Sequence, residues 1–194
     1  QSWLSNEELF LLDKIFRTDL NIDKFCFLDP PDEKSDDFLL TAERTPNKRG
    51  AKELGFELKP ADWDKLLENV DLLFVFASPL QDGSEFGPLK DALEKIETKV
   101  MFATHEREIN SAFDIVLPMS LIAEKSGSLT NIVGSVQNFS PALDAPGDCK
   151  PAWQFLLELA KKMSINPDFY NQFSSLESIR EVMKQENPFF REVH

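Results

Sequence analysis

Cysteine, histidine, glycine and tyrosine are all scarce in this 194-residue chain, at two, two, seven and one copies respectively. Each shortage excludes a class of chemistry. Cys26 and Cys149 cannot build a disulfide framework, and they fall short of the roughly four thiolates that an iron–sulfur cluster takes. His194 is the last residue, so a zinc site would rest on His105 and carboxylates alone. The glycines compose neither Gly-x-Gly-x-x-Gly nor Gly-x-x-x-x-Gly-Lys, so the common nucleotide phosphate cradles are missing. Long apolar runs are missing too. Leu72–Ala77 is the longest, far below the roughly 20 residues of a bilayer span. The short run Leu9–Leu12 lies between Glu7, Glu8 and Asp13 rather than behind a basic segment, which is not a secretory pattern. Positive charge is in deficit as well: 21 Lys and Arg against 34 Asp and Glu leave a net charge of −13. Such a field repels phosphate backbones and anionic lipid, and no compact basic cluster overrides it. Nucleic acid and direct membrane insertion are therefore not expected, and a soluble cytoplasmic domain is. Gln1 is not an initiator Met, so we expect a piece of a longer polypeptide or a processed one.

What the chain does have is phenylalanine, 17 of them, which signals a well-filled core. Its length fits one α/β domain, expected to span 1–194. Within it we expect an N-terminal helix, strand and long loop over 1–50, an α/β core over 51–123, and a polar excursion with C-terminal helices over 124–194. Ser5 and Glu8 have capping-box spacing ahead of Leu9, Leu12 and Phe16, predicting a helix over about 6–17. Phe25–Leu28 reads as a buried strand, and Phe38–Leu40 as pinned to the core within an irregular connection. Trp63, Leu66, Leu67 and Val70 form a helical stripe, and Pro88 opens a helix carrying Leu89, Leu93 and Ile96. The runs 72–77, 99–104 and 114–117 are apolar without alternation, the mark of strands covered on both faces. Phe74 and Val75 should lie in a central strand, almost fully buried. A short helix is expected near 106–111, and a hairpin or ordered excursion over 124–140. Two further helices are expected, one over about 151–163 and one behind a Ser174/Glu177 capping box. The fold that follows is a doubly wound, mainly parallel, Rossmann-like α/β sheet with helices on both faces.

Ligand crevices in such sheets open at the C-terminal strand ends, here Ser78-Pro79, Thr104-His105 and Pro118-Met119. No catalytic set stands out there. His105 could act as a general base, although a histidine in that position is more often a hydrogen-bonded surface residue. Ser78 lacks the flanking glycines of a nucleophile elbow. Cys26 reads as inert packing, whereas Cys149 lies in a polar loop where a thiol could react. Glu124 and Lys125 are adjacent charges of the kind that ordinarily meet solvent. The side chains of Glu124 and Asn131 should bond backbone groups of the polar excursion rather than face a crevice.

Three stretches carry a resemblance. Asp114-Ile115-Val116-Leu117-Pro118, then Ala123-Glu124-Lys125-Ser126-Gly127-Ser128, then Thr130-Asn131 and Gly134-Ser135-Val136-Gln137 resemble the signature A-D-x-V-L-P … A-E-x-x-G-T-x-x-N-x-E-G-R-x-Q of molybdopterin oxidoreductases. Ser128 and Ser135 stand where that signature has Thr and Arg. Ser5-Asn6-Glu7-Glu8 is similar to the S-N-E-E helix of the same family. Asp37-Phe38-Leu39, Thr45 to Ala51 and Leu54-Gly55 look like a segment of the large iron–sulfur subunit of bacterial NADH–quinone oxidoreductase, respiratory complex I. The resemblance implies a formate dehydrogenase-type domain in which Asp114, Pro118, Glu124, Gly127, Asn131, Gly134 and Gln137 are signature residues with a structural part.

Three functions follow as expectations. The first is a non-catalytic scaffold domain of the large iron–sulfur subunit of an NADH–quinone oxidoreductase. It would hold no cofactor or metal of its own, since that subunit's clusters belong to other domains. Its partners would be the rest of the parent chain and neighbouring respiratory subunits, on the cytoplasmic side of a membrane-associated complex. The second is one wall of the pterin-nucleotide site of a true molybdopterin enzyme, with Ser78, Thr104 and His105 as the wall residues. The third is an independent acidic interaction module.

Overall fold

The structure is a computed structural model that describes residues 3–25, 36, 46–56, 66–76 and 93–191. Helix α1 (Asn6–Leu12) begins at the expected capping box: the Glu8 amide donates to Ser5 Oγ at 3.3 Å and the Ser5 amide to Glu8 Oε2 at 2.9 Å. The chain continues without a break into a wider π-helical stretch, Asp13–Asp19. Every residue of α1 is buried, including Asn6, Glu7 and Glu8. A surface helix shows one apolar stripe, so full burial means that neighbours surround this one. Asn47, in the left-handed region at φ 57°, turns the chain into α2 (Lys48–Glu53). The Arg17 guanidinium then satisfies carbonyls past the end of α2, donating to Leu54 at 2.7 Å and Gly55 at 2.8 Å.

Three parallel strands form the sheet: β1 (Leu72–Phe76), β2 (Thr98–Ala103) and β3 (Ile115–Pro118), in the order β1-β2-β3. The register places Phe74 beside Val100 and Phe102 beside Leu117. Alternation then splits the sheet's apolar residues between two cores. Phe74, Phe76, Val100, Phe102 and Leu117 join the large cluster with α1 and the C-terminal helices. Leu73, Val75, Met101 and Ala103 join a second cluster with Leu67, Leu93, Ile96 and Phe113. The sheet therefore has packing on both faces, as its continuous apolar runs require. The Phe76 and Phe102 rings stack at 4.4 Å, and Phe155 meets Phe102 edge-on at 5.6 Å.

Two expectations about this sheet are corrected. Phe74 and Val75 are half-buried rather than fully buried. Among the described residues β1 is an outer strand, with a neighbour on one side only. β3 is likewise an outer strand, and Ile115 and Val116 keep 47 % and 40 % of their surface in solvent. Among the described residues only β2 has a strand on each side, and its Met101 and Phe102 keep 1 % and 3 %.

After β3 the polar excursion forms the expected hairpin, β4 (Gly127–Thr130) antiparallel to β5 (Val136–Phe139). Gly134 closes its turn at φ 91°, a left-handed conformation that suits glycine. Three helices follow: α3 (Ala152–Lys162), α4 (Pro167–Tyr170) and α5 (Leu176–Glu186). The N-cap of α5 is Ser175, not Ser174, and the reciprocal partner is Ser178. With the N-cap at Ser175, Ser178 rather than Glu177 stands at the third helical position, and Glu177 accepts from Arg180 at 2.8 Å. The expected helix near 106–111 is a 3₁₀ segment, Glu108–Ala112. Of the expected strand 25–28 only Phe25 is among the described residues; Phe38–Leu40, Trp63 and the Pro88 helix start lie outside them. No helix of the described residues is long and apolar enough to cross a membrane.

Candidate functional site

The two places that the sequence singles out lie in different parts of the domain. The first is the C-terminal edge of the sheet, where the strands leave their helix-covered faces. Ser78, the expected residue after β1, lies outside the described residues. After β2, Thr104 is half-buried and His105 exposed, with Thr104 Oγ1 3.1 Å from His105 Nδ1. Asn110 comes back from the 3₁₀ segment and donates its Nδ2 to the His105 carbonyl at 3.1 Å. Its other amide atom, Oδ1, is buried with no hydrogen-bond partner. After β3, Met119 and Ser120 are 4 % and 1 % exposed, and Ser120 Oγ is also buried without a partner. The Ser120 amide is taken, donating to the Lys150 carbonyl at 2.9 Å. Buried polar atoms in native folds are nearly always bonded. Two of the three unbonded side-chain atoms among the described residues thus follow strand ends. Sequence reasoning named Thr104 and His105 but missed Asn110 and Ser120, which show no motif; only their loss of solvent without a partner marks them.

No group of three metal-ligating side chains occurs among the described residues. Cys149 is half-buried, and burial first, then the charges of Glu124 and Asp148, push its thiol up. Both effects disfavour the nucleophilic thiolate, so the reactive reading of Cys149 finds no support in its surroundings.

The second place is the signature segment, and it is a buried polar knot. Lys125 is 3 % exposed, with its Nζ 2.5 Å from Glu8 Oε2 and 3.3 Å from the Trp3 carbonyl. The expectation that Glu124 and Lys125 merely meet solvent is corrected here, because the amino end of α1 fills the space in front of Lys125. Glu7 accepts from the Ser128 amide at 2.9 Å and from Arg180 Nε at 2.9 Å. Asn6 donates to Ser128 Oγ at 3.1 Å and accepts from Thr130 Oγ1 at 3.2 Å. Asn47 bridges the Leu4 carbonyl at 2.9 Å and the Thr130 amide at 2.8 Å. In effect the amino end of α1 and α2's preceding turn act as the neighbouring strand for β4, satisfying its outward backbone with side chains. Gly127 sits where a Cβ would come within 2.7 Å of Ser5 Cβ and 2.8 Å of the Phe139 ring, which leaves no room for a side chain.

The remaining signature residues bond locally. Glu124 Oε2 accepts from the Leu121 amide and Asn131 Oδ1 from the Ser135 amide, both at 2.9 Å. Asp114 accepts from the Lys99 amide at 2.8 Å and meets Lys99 Nζ at 3.0 Å; these bonds hold its exposed carboxyl below the usual carboxylate range. Pro118 ends β3, and Gln137 is exposed on β5 opposite Leu129.

A sequence model of the molybdopterin oxidoreductase family matches residues 33–162, which covers the sheet, the strand ends and the hairpin. The chain is 32 % identical over 113 residues to the F420-dependent formate dehydrogenase 2 subunit alpha of Methanococcus maripaludis, covering 58 % of this chain and 17 % of that protein. It is 30 % identical over 114 residues to a nitrate reductase of Symbiobacterium thermophilum, covering 59 % and 15 %. It is 30 % identical over 93 residues to the NADPH-Fe(3+) oxidoreductase subunit alpha of Geobacter sulfurreducens, covering 48 % and 11 %. The matched part is thus less than a fifth of each of these relatives.

Proposed function

The chain belongs to the molybdopterin oxidoreductase family, and on that premise we propose that it is one α/β domain of a larger molybdopterin-dependent oxidoreductase. Its strand-end crevice forms one wall of the pterin-nucleotide site. The observation that carries this reading is the family match over residues 33–162, which takes in the strand end where Thr104 is half-buried and His105 exposed. The exposed His105 ring and the half-buried Thr104 hydroxyl are accessible hydrogen-bonding groups of the kind that meet a nucleotide, so the residues present fit the group. Thr104 and His105 would hold it, and Ser78, which follows β1 in the sequence, is the third wall residue proposed. The bound group would supply two-electron redox chemistry at molybdenum. This chain's own part is to orient the nucleotide by hydrogen bonds and to exclude water with the buried Met119. Formate or nitrate, the substrates in the names of the relatives, are the substrate class proposed, and iron–sulfur clusters would belong to other parts of the parent.

A second reading, a scaffold domain of an NADH–quinone oxidoreductase large subunit, is favoured by one observation. The polar side chains of the signature segment are committed to internal bonds, from Glu124 to Asn131. In both readings the partners are the remaining domains of the parent chain and neighbouring subunits, on the cytoplasmic side. Metal analysis and pterin fluorescence of the full-length parent separate the two. About one molybdenum and one pterin per chain, lowered by His105→Ala at unchanged melting temperature, is the expected result. Iron without molybdenum or pterin would replace the first reading with the second.

A further inference from the structure

The bonds between α1 and the signature segment do more than add stability. The loop from Leu121 to Ser126 leads from the end of β3 into the hairpin, and Lys125 is its one buried residue. That side chain reaches the Glu8 carboxylate and the Trp3 carbonyl, 117 and 122 residues away in sequence. The hairpin behind it leans on the same helix end, through Ser128 on Glu7 and Asn6 and through Thr130 on Asn6. Apart from the Trp3 carbonyl, the partners are the side chains of Asn6, Glu7 and Glu8, all in the first turn of α1. Glu8 Oε1 is buried without a partner, so Lys125 and the Ser5 amide on Oε2 are all that offset the burial of this carboxylate. β2, by contrast, is held by strands on both sides and by apolar packing on both faces; the packing it shares with α1 is through the apolar Leu9–Leu12, not through the polar helix end.

We infer that α1 is a latch on the loop that follows β3: Glu8 and Lys125 are positioning residues, and undocking of the helix end releases the loop and the hairpin as one unit while the sheet stays formed. The release would move Ser120 and the wall that leads to it, whether or not that wall holds a nucleotide, so the inference goes beyond the proposed function and does not rest on it. Subglobal opening of this kind, with a free energy below that of global unfolding, is a general property of native folds.

Hydrogen exchange of the wild-type chain, measured amide by amide at low denaturant concentrations, tests it. The amides of Ser5, Glu8, Glu124, Ser128 and Thr130 are expected to open together, at least tenfold faster than those of Met101 and Phe102. In Glu8→Gln the first group should lose at least a further tenfold in protection while Met101 and Phe102 keep theirs. Glu8→Gln/Lys125→Met, which removes the stranded cation, should recover part of the loss. Exchange of both groups only through global unfolding overturns the latch, as does a loop that opens without α1. Because the wild-type measurement already separates these outcomes, failure of a variant to fold leaves the test intact.

Discussion

Phe102 in β2 and Lys125 in the loop before β4 are equally withdrawn from water, at 3 % exposure each, yet they are buried for opposite reasons. Phe102 enters its core because any apolar neighbourhood of the right volume stabilises it. Lys125 is buried because one carboxylate and one carbonyl meet its ammonium, and desolvation would otherwise exceed what the site returns. The sheet is therefore tolerant and the knot exacting. A core that accepts many sequences and a polar knot that accepts few should respond differently to substitution, and that difference is measurable.

The largest effect is expected from Lys125→Met, which leaves Glu8 buried and uncompensated. About 3–5 kcal/mol of stability should be lost in denaturant titration, and Glu8→Leu/Lys125→Met should restore much of it. A double variant no better than the single one would show that the knot is not an ion-pair site. Phe102→Ala should cost about 3–5 kcal/mol as a buried aromatic truncation. Phe74→Ala, at a half-buried position on an outer strand, should cost measurably less than Phe102→Ala; equal losses would mean that β1 is covered like a central strand. Asn131→Ala removes the acceptor for the Ser135 amide in the hairpin turn, and about 1–3 kcal/mol should be lost. Thermal melting decides it.

Two titrations finish the series. Tyr170 is fully buried and donates to Asp19 Oδ2 at 2.5 Å; burial first, then Asp19, push its phenol well above its ordinary value. A raised folded value means stabilisation that is complete below the unfolded pKa of about 10 and is lost as pH rises beyond it. Stability should fall above that pH in the wild type and fall less in Tyr170→Phe. Asp114 works in the opposite direction. Its bonds to Lys99 lower its folded value, so its contribution is complete above about pH 4 and is lost as pH falls through the lower folded value. Because this carboxylate is exposed, the effect should be the smallest of the set, seen as a slightly flatter acid limb in Asp114→Asn.

The legible part of the fold was the part written in short-range pattern. The runs 72–77, 99–104 and 114–117 became β1, β2 and β3 within a residue or so, because a continuous apolar run between turn signals has few other outcomes. The Ser5/Glu8 capping box and the helix at 152–162 were legible for the same reason. The N-cap of α5 falls one residue later than its spacing suggests, because Ser175 and Ser178 complete the reciprocal pair themselves, and spacing alone does not choose between adjacent serines. In the candidate site, Thr104 and His105 followed from the rule of strand ends, but Asn110 and Ser120 did not. Their distinction is a missing hydrogen bond, which no spacing records.

By itself the sequence determined an acidic α/β chain with a parallel sheet, and its Ala-Glu-Lys-Ser-Gly segment, unlike its Ser-Asn-Glu-Glu segment, falls within the residues 33–162 that match the family. Periodicity, capping and motif spacing are local, and they act before the chain has found its tertiary neighbours. Tertiary structure alone decided that those two segments are the two halves of one buried knot, that β1 and β3 are outer strands of the described sheet, and that burial and nearby carboxylates push the Cys149 thiol up. Burial of a charge or a thiol depends on which distant groups arrive beside it, and only the folded chain brings them there.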